Sequence, residues 1–317
     1  MNKVFRIGTR DSQLAVWQAT LVQKKLAQNN ITSELVYIKS DGDIDLITPL
    51  YEIGVQGIFT KTLDAALLSK RIDIAVHSMK DVPTQLAKGI TQAAVLERAS
   101  YKDIFVYKNE SVVEEWQLLN VHLNAPLKVG GIIATSSIRR QSQWLHRYPN
   151  HTIENLRGNV NTRLRKVAEN NWNGAIFAAA GLERIDLRPE NAVDLDWMLP
   201  APSQGAIMVV CREEDKDAKD VCSILNHTDT ALCTKIEKDF LRALMGGCST
   251  PISALAVIKE NMLHFRGNIF SPDGKQKAEV EKITDKDHAA QTGTGAAEEL
   301  LNNGGRKISE AIRNAKK

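Results

Sequence analysis

Two clusters of arginine follow predicted strands at points where helices begin. Residues 135–140 read TSSIRR, so two hydroxyl side chains precede Arg139 and Arg140 in the first helical turn. Backbone N–H groups, hydroxyls and guanidinium forks at such a turn suit a carboxylate or phosphate. The alternative is that both arginines point into water, since the helix dipole opposes them by only about 0.3–1 kcal/mol. A second cluster holds Arg157 and Arg163, and recurrence at successive strand ends favours anion binding over isolated surface ion pairs.

A carboxylate follows another predicted buried strand. Residues 76–83 read VHSMKDVP, and Pro83 keeps Val82 extended, so the segment is expected to leave the sheet as a loop. That loop would place Asp81 at the mouth of a cleft. Asp81 could balance the charge of nearby arginines, or it could stabilise a cationic intermediate and transfer protons, and the local sequence leaves both roles open. His77 is assigned to the strand and its packing.

The chain has four cysteines and no Cys-x-x-Cys pair, which gives a structural zinc site no support. Without a predicted export signal, the cysteines are expected to be thiols. Cys248 follows two glycines, which allow unusual backbone angles and let a thiol stand clear on a loop. The alternative is an inert core cysteine, a description that fits Cys211, Cys222 and Cys233.

The composition is that of an ordinary globular protein of two or three domains. The 317 residues include 41 Lys plus Arg and 38 Asp plus Glu, for a net charge of +3, with 43% hydrophobic and 25% charged residues. Charge so nearly balanced argues against a dedicated nucleic-acid binder. The first residues lack the pattern of a signal peptide, and the most apolar stretch, residues 175–182, is far short of the roughly 20 residues that span a bilayer. We therefore expect a cytoplasmic location.

Alternating strand and helix patterns predict two tandem α/β units joined by a polar stretch at residues 97–103. Such alternation implies mostly parallel sheets whose ligands gather beyond the carboxyl ends of the strands. A strand over 206–211 is expected to return to the first unit. From residue 229 onward the sequence pattern is that of a separate α+β domain. The first unit is predicted as strands 4–9, 35–39 and 72–76 with helices 14–26 and 60–70; the second as strands 129–134, 152–155 and 175–179 with helices 138–147 and 160–169; the third as helices 229–245, 289–301 and 307–314 with strands 252–257 and 262–270.

Taken together, six ordered segments along nearly the whole chain resemble the porphobilinogen deaminase family, also called hydroxymethylbilane synthases. The segments are residues 78–83, 135–140, 156–163, 178–182, 203–206 and 246–248. The resemblance implies an α/β fold of two periplasmic-binding-protein-like (type II) lobes plus a smaller C-terminal α+β domain. The implied domains are residues 1–101 with 200–224, residues 105–197, and residues 228–317.

The resemblance also implies a reaction and a cofactor. Four porphobilinogen molecules are condensed head to tail, with loss of ammonia, to the linear tetrapyrrole hydroxymethylbilane (preuroporphyrinogen) of haem biosynthesis. The primer is a single dipyrromethane attached through a thioether to Cys248. Asp81 is the implied catalytic residue, which stabilises cationic intermediates and helps to move protons. The implied partners are porphobilinogen and the growing polypyrrole, with no metal, nucleic acid or membrane, and the implied state is a monomer.

The family's binding residues carry over where this chain matches them. Guanidinium forks hold the acetate and propionate groups of pyrroles bidentately. The implied cofactor-binding residues are Cys248, Lys80, Ser136, Ser137, Arg139, Arg140, Arg163 and Arg184, and the implied substrate-binding residues are Arg10, Ser12, Gln18, Arg157 and Arg163.

The chain departs from the family pattern in three places, of which one is Pro202-Ser203-Gln204-Gly205 where the family usually has Val-Gly-Gln-Gly. The family commonly has Gly-Gly-Lys-Gly where this chain has Gln56, so no lysine role is carried over, and Gln13 replaces the usual proline. Residues 42–59 are expected to form a flexible cover over the cleft. The competing hypothesis is a non-catalytic anion-binding module with the same two lobes, which would need no cysteine at position 248.

Overall fold

The structure is a computed structural model, and it describes residues 3–39, 60–108, 130–245 and 250–314. The predicted cover at residues 42–59 and the predicted attachment residue Cys248 lie outside the described residues.

Within these residues the chain forms three sheets and the helices that cover them. The strands are β1 (Phe5–Thr9), β2 (Ser33–Tyr37), β3 (Ile74–Ser78), β4 (Ile90–Val95), β5 (Asp103–Tyr107), β6 (Ile132–Ala134), β7 (Thr152–Glu154), β8 (Gly174–Ala178), β9 (Ala192–Asp194), β10 (Ile207–Arg212), β11 (Ile252–Lys259), β12 (Met262–Phe270) and β13 (Lys277–Asp285). The helices are α1 (Gln13–Ala27), α2 (Lys61–Leu68), α3 (Ile138–Arg147), α4 (Val160–Glu169), α5 (Ala179–Glu183), α6 (Lys216–Ser223), α7 (Thr228–Ala243), α8 (Thr292–Leu300) and α9 (Arg306–Asn314). Single helical turns lie at Met79–Asp81, Lys286–Gln291 and Leu301–Gly305.

The first sheet has the strand order β2-β1-β3-β10-β4. Strand β1 pairs in parallel with β2 and β3, whereas β10 pairs antiparallel with β3 and β4. The strand expected to return to the first unit is therefore β10, and its placement is confirmed. Since β1 and β3 are adjacent and parallel, the residues that follow Thr9 and Ser78 leave the sheet at the same edge.

The second sheet has the order β7-β6-β8-β5-β9. Strand β6 is parallel to β7 and β8, and β5 runs antiparallel between β8 and β9. The polar stretch expected at residues 97–103 leads directly into β5, whose first residue is Asp103. Apolar side chains of β5, including Phe105 at 0% exposure, bury this strand between β8 and β9.

The third sheet is an antiparallel meander of β11, β12 and β13 with α7 and α8 packed on one face. Phe265 and Ile269 of β12 point into that face and pack with Phe240 of α7. Gly267 lies between them, where an added Cβ would come within 2.5 Å of the Phe240 ring, so only glycine fits. Because side chains alternate along a strand, Asn268 belongs to the opposite face.

The mixed α/β class is confirmed by these sheets, and several elements match their predictions closely. Helices α3 and α4 have the predicted bounds, 138–147 and 160–169. Strands β4, β5, β9 and β13 and helices α5 and α6 were not predicted. The three domain boundaries stay a prediction. No helix in the described ranges is long and apolar enough to cross a membrane.

Candidate active site

A cavity of about 320 Å³ lies where the carboxyl edges of the first two sheets meet the third part of the chain. The third part contributes Leu241, Thr250 and Ile252. The predicted site residues that line the cavity are Arg10, Ser12, Lys80, Asp81, Ser136, Ser137, Arg139, Arg140, Arg157 and Arg163.

The first wall is built at the ends of β1 and β3. Arg10 and Ser12 follow β1, and Ser12 is the N-cap residue of α1 with extended backbone, although its side chain makes no capping bond. After β3 the chain forms a single 3-10 turn, Met79–Asp81, and Val82 that follows it is extended, as expected before Pro83. Met79 is buried, and its N–H donates to the Ala206 carbonyl of the neighbouring connection at 3.0 Å. The turn is therefore anchored, and it holds Asp81 half-buried at the cavity wall.

The second wall is the start of α3 and the segment that enters α4. The N–H of Leu156 donates to the Ser136 hydroxyl at 3.0 Å, which fastens these two segments together. Asn159 caps α4 by accepting the Thr162 N–H at 3.0 Å. Gly158 has a φ of +113°, a backbone conformation that glycine adopts readily but that strains other residues. This turn brings the Gly158 carbonyl to Arg163, whose Nε donates to it at 2.7 Å.

Asp103 is a buried counter-ion behind the second wall that the sequence analysis did not identify. Its carboxylate is 0% exposed and pairs with Arg139 Nη2 at 2.8 Å and Arg140 Nη2 at 2.7 Å. Gln204 Nε2 also donates to it at 3.0 Å. Burial by itself raises the pKa of Asp103, but the attraction of Arg139 and Arg140 outweighs burial and lowers that pKa to about 2. Asp103 is therefore ionised and fixes both guanidinium groups.

The cavity has an excess of positive charge. Six cationic side chains line it, and among the described residues they are accompanied by the carboxylates of Asp81 and Asp103. Burial, followed by repulsion from Arg140 and Arg157, lowers the pKa of Arg163 to about 10. Burial lowers the pKa of Lys80 to about 8, and the opposing attraction of Asp81 does not cancel this effect. An anion in the cavity would relieve both shifts.

Two predicted residues lie outside the cavity lining. Gln18 is 2% exposed, and its Nε2 donates to the Ser78 hydroxyl at 2.9 Å. Arg184 donates from Nη2 to the Gly205 carbonyl at 2.6 Å, and its guanidinium lies 5.8 Å from the centre of the Trp17 ring. Burial lowers the pKa of Arg184 to about 10. Gln18 is thus linked to the cavity through Ser78, which lines it.

Sequence reasoning also missed polar residues that line the cavity. Asn161 Nδ2 donates to Gln13 Oε1 at 2.9 Å, which joins α4 to α1 across the cavity. Lys80 Nζ donates to Gln204 Oε1 at 3.4 Å. Gln204 lies in one of the six ordered segments, 203–206, so the family resemblance could have identified it as a site residue. Asn161 also lies in one of these segments, 156–163, but its partner Gln13 lies 148 residues away.

The three described cysteines are buried thiols, as expected. Burial raises the pKa of Cys211 to about 11 and that of Cys222 and Cys233 to about 12. Because the thiolate is the reactive form, these three side chains are poor nucleophiles at neutral pH.

Two family models match the chain. "Porphobilinogen deaminase, dipyromethane cofactor binding domain" matches residues 5–220, and "Porphobilinogen deaminase, C-terminal domain" matches residues 231–302. A protein of Chlorobium phaeobacteroides named porphobilinogen deaminase is 38% identical over 321 residues, which cover 99% of each chain.

Solved structures with similar folds include a nutrient-binding protein of Burkholderia cenocepacia bound to methionine. Its TM-score is 0.42 at 13% identity, with 72% of this chain and 93% of that chain covered. The periplasmic VFT2 domain of Bordetella pertussis BvgS has a TM-score of 0.41 at 11% identity, with 70% and 86% covered.

Proposed function

The chain belongs to the porphobilinogen deaminase family, and from this premise we propose that the arginine-lined cavity is the place of its reaction. The enzyme is a transferase of tetrapyrrole biosynthesis. It condenses four porphobilinogen molecules head to tail, releases ammonia and forms hydroxymethylbilane, the precursor on the path to haem.

The observation that carries this proposal is the contrast between the two carboxylates of the cavity region. Asp103 is held by Arg139 and Arg140, whereas Asp81 makes no hydrogen bond or ion pair with any other described residue. A carboxylate that lines a cavity without a fixed partner is available to a substrate. Asp103 therefore balances the charge of the arginines, which leaves Asp81 for chemistry.

Asp81 acts on the reacting centre of porphobilinogen. Loss of ammonia leaves a cation on the substrate, and an ionised carboxylate beside it stabilises that charge more strongly in a partly buried cavity than in water. Asp81 also accepts and returns protons as the new bond between pyrroles is completed. Asp81 lies close enough to Lys80 and Arg163 to influence the pKa of each, so it sits among the groups that would bind the substrate's carboxylates.

The residues of the cavity fit a dipyrromethane cofactor. Such a group has two pyrrole rings, each with an acetate and a propionate, and its four carboxylates match the fourfold positive excess of the cavity. Thr250, two residues after Cys248 in the sequence, lines the cavity. When bound, the dipyrromethane supplies the primer to which the first substrate is joined. The residues that would hold it are Cys248, Lys80, Ser136, Ser137, Arg139, Arg140 and Arg163, with Arg184 acting through the Gly205 backbone.

Polar residues of both walls bind the substrate. Arg10, Ser12 and Arg157 line the cavity and offer donors to the carboxylates of porphobilinogen. Arg163 serves both the cofactor and the incoming substrate. Gln18 positions Ser78, which precedes the turn that carries Asp81.

The organisation of the chain follows from the same proposal. Residues 1–101 with 200–224 form the lobe that carries Asp81, residues 105–197 form the arginine-rich lobe, and residues 228–317 form the cofactor-carrying domain. The pairing of β10 with β3 and β4 supports the return of the chain to the first lobe. We place the enzyme in the cytoplasm as a monomer.

A stoichiometric assay tests this function. Purified protein is supplied with porphobilinogen, and ammonia and hydroxymethylbilane are measured together. Four ammonia molecules should be released for each tetrapyrrole formed. Saturable binding of porphobilinogen without release of ammonia would support the competing anion-binding module instead.

A further inference from the structure

A second cavity, of about 340 Å³, lies between the end of α3 and the face of β12 and β13 that α7 and α8 leave uncovered. It shares no lining residue with the active-site cavity. The first turn of α3 faces the active site through Arg139 and Arg140, whereas its later residues, including Gln143 and His146, line this second cavity.

Asn268 is the buried polar residue of this cavity. It is 6% exposed, its side-chain amide makes no hydrogen bond with any described residue, and Oδ1 is fully buried. A buried amide oxygen without a donor costs about 1–3 kcal/mol. The side-chain amide of Gln143, on the opposite wall, is by contrast fully hydrogen-bonded. Its Nε2 donates to the Ser253 hydroxyl at 3.0 Å, and its Oε1 accepts the Leu199 N–H at 2.9 Å.

Aromatic rings form the walls beside Asn268. Trp197 and Phe270 both line the cavity. The Arg147 guanidinium lies 5.0 Å from the Trp197 ring, and the His146 ring meets Phe270 edge-on at 5.1 Å. A flat ring placed against such surfaces gains stacking contacts in addition to buried apolar area.

The charges of the cavity favour one carboxylate. Three cationic side chains and two glutamates line it, which leaves a single positive excess. Lys277 is paired with Glu279 at 2.5 Å, whereas the Arg266 side chain makes no hydrogen bond or ion pair within the described part of the chain, although Glu281 stands opposite it on β13. Arg266 is exposed on β12, two residues from Asn268, so its guanidinium can reach a carboxylate without losing an existing partner.

We propose that this cavity is a second binding site, for a small heteroaromatic monocarboxylate. The ring packs against Trp197 and Phe270, the carboxylate binds Arg266, and the ring N–H bonds the Asn268 amide. A half-turn about the last torsion of Asn268 exchanges its oxygen and nitrogen, and this torsion is broad, so the amide can offer its oxygen to the cavity. A volume of about 340 Å³ lies at the small end of the range for ligand pockets.

Titration of the full-length holoenzyme with indole-3-acetate tests the proposal. We expect saturable binding by calorimetry and a shift of the Asn268 side-chain amide signal in a nitrogen–proton correlation spectrum. Arg266→Gln should raise the Kd about tenfold, as expected for the loss of one charge-assisted bond. Arg71→Gln, at an exposed arginine far outside this cavity, is the matched control and should leave the Kd unchanged.

Two further arms define the ligand. Naphthalene-1-acetate, which lacks the ring N–H, should bind more weakly than indole-3-acetate to the native chain but equally to Asn268→Ala. Porphobilinogen, added to Asp81→Asn to prevent turnover, shows whether the site responds to the enzyme's own substrate, and this arm alone rests on the proposed function. A shift of the Asn268 side-chain amide signal on addition of indole-3-acetate or naphthalene-1-acetate supports the site. Binding that Arg266→Gln and Asn268→Ala both leave within about twofold, or no saturable binding at all, would overturn it.

Discussion

Arg140 donates two hydrogen bonds to a single oxygen of Asp103, from Nε at 3.1 Å and from Nη2 at 2.7 Å. Arg139 pairs with the other oxygen at 2.8 Å. Two guanidinium groups of the cavity are therefore oriented by the protein before any ligand binds. Preorganised charge of this kind costs no rearrangement during reaction.

Removal of the buried counter-ion should destabilise the protein strongly. Asp103→Ala leaves Arg139 and Arg140 buried with no carboxylate between them, and breaking such a buried pair costs about 3–5 kcal/mol. The free energy of unfolding in urea measures this loss. Glu169→Ala is the matched control, because it breaks the exposed pair with Arg165 at 2.8 Å, which is worth only about 0.3–0.5 kcal/mol. Equal losses in the two variants would contradict the structural role of Asp103.

Neutralisation of Asp81 should remove activity and leave folding intact. Asp81→Asn keeps the shape of the side chain but cannot stabilise a cation or accept a proton, so kcat should fall by about 10²-fold or more. The melting temperature should change by no more than about 2 °C, since no described residue depends on the carboxylate for a hydrogen bond. Asp81→Glu keeps the charge and should retain part of the rate. If Asp81→Asn instead lost structure in proportion to activity, Asp81 would be a charge-balancing residue.

Binding of an anion to the cofactor-free cavity should weaken in alkali as Lys80 loses its proton. Burial lowers the pKa of Lys80 to about 8, so the ammonium present at neutral pH is lost above that value. The Kd of citrate for the cofactor-free variant Cys248→Ser should rise about three- to tenfold between about pH 7 and pH 9, as expected for loss of a charge-assisted bond. Lys80→Arg, added to the same variant, keeps its charge in this range and should show a flatter profile. Parallel profiles for the two proteins would exclude Lys80 as a ligand.

The lowered pKa of Lys80 also affects the stability of the cofactor-free protein. This stability rises with pH, whereas anion binding weakens with pH. The pKa of Lys80 is lower in the folded chain than its ordinary value of 10.5. Its contribution to the free energy of unfolding is therefore fully present above pH 10.5 and is lost as the pH falls through about 8.

Much of the site's position could be predicted from sequence, because the local patterns that define it are strong. Helices α3 and α4 matched their predicted bounds, and they carry Arg139, Arg140 and Arg163 into the cavity lining. Asp103 could not be found in this way. It stands at the start of a strand inside a polar stretch, and its partner Arg140 is 37 residues away, so only the packed sheet reveals the pair.

Family resemblance also has a limit set by packing. Arg184 and Gln18 were assigned to ligand binding because they match family positions. In this structure the Arg184 guanidinium donates to the Gly205 carbonyl, and the Gln18 amide donates to Ser78, which lines the cavity. Their role in ligand binding stays a prediction, because the side chains that a cavity exposes depend on the relative placement of strands, which a linear motif does not contain.

Loss of the cofactor should destabilise the enzyme. Without anions the cavity keeps a fourfold excess of positive charge among its described residues, whereas a bound group that prefers the folded state adds stability by mass action. Cys248→Ser should therefore melt lower than the native enzyme, by about 5 °C or more. Added citrate should raise the melting temperature of the variant more than that of the native enzyme. Coincident melting curves would contradict this prediction.

The most direct test of the account is the intact mass of the native protein. A dipyrromethane held at Cys248 predicts a mass above that of the 317-residue chain by two linked pyrrole units, with the increment mapped by peptide digestion to the segment that contains Cys248. Cys248→Ser should have the unmodified mass and no activity. An active native protein of unmodified mass, or an increment attached at Cys211, Cys222 or Cys233, would contradict the account.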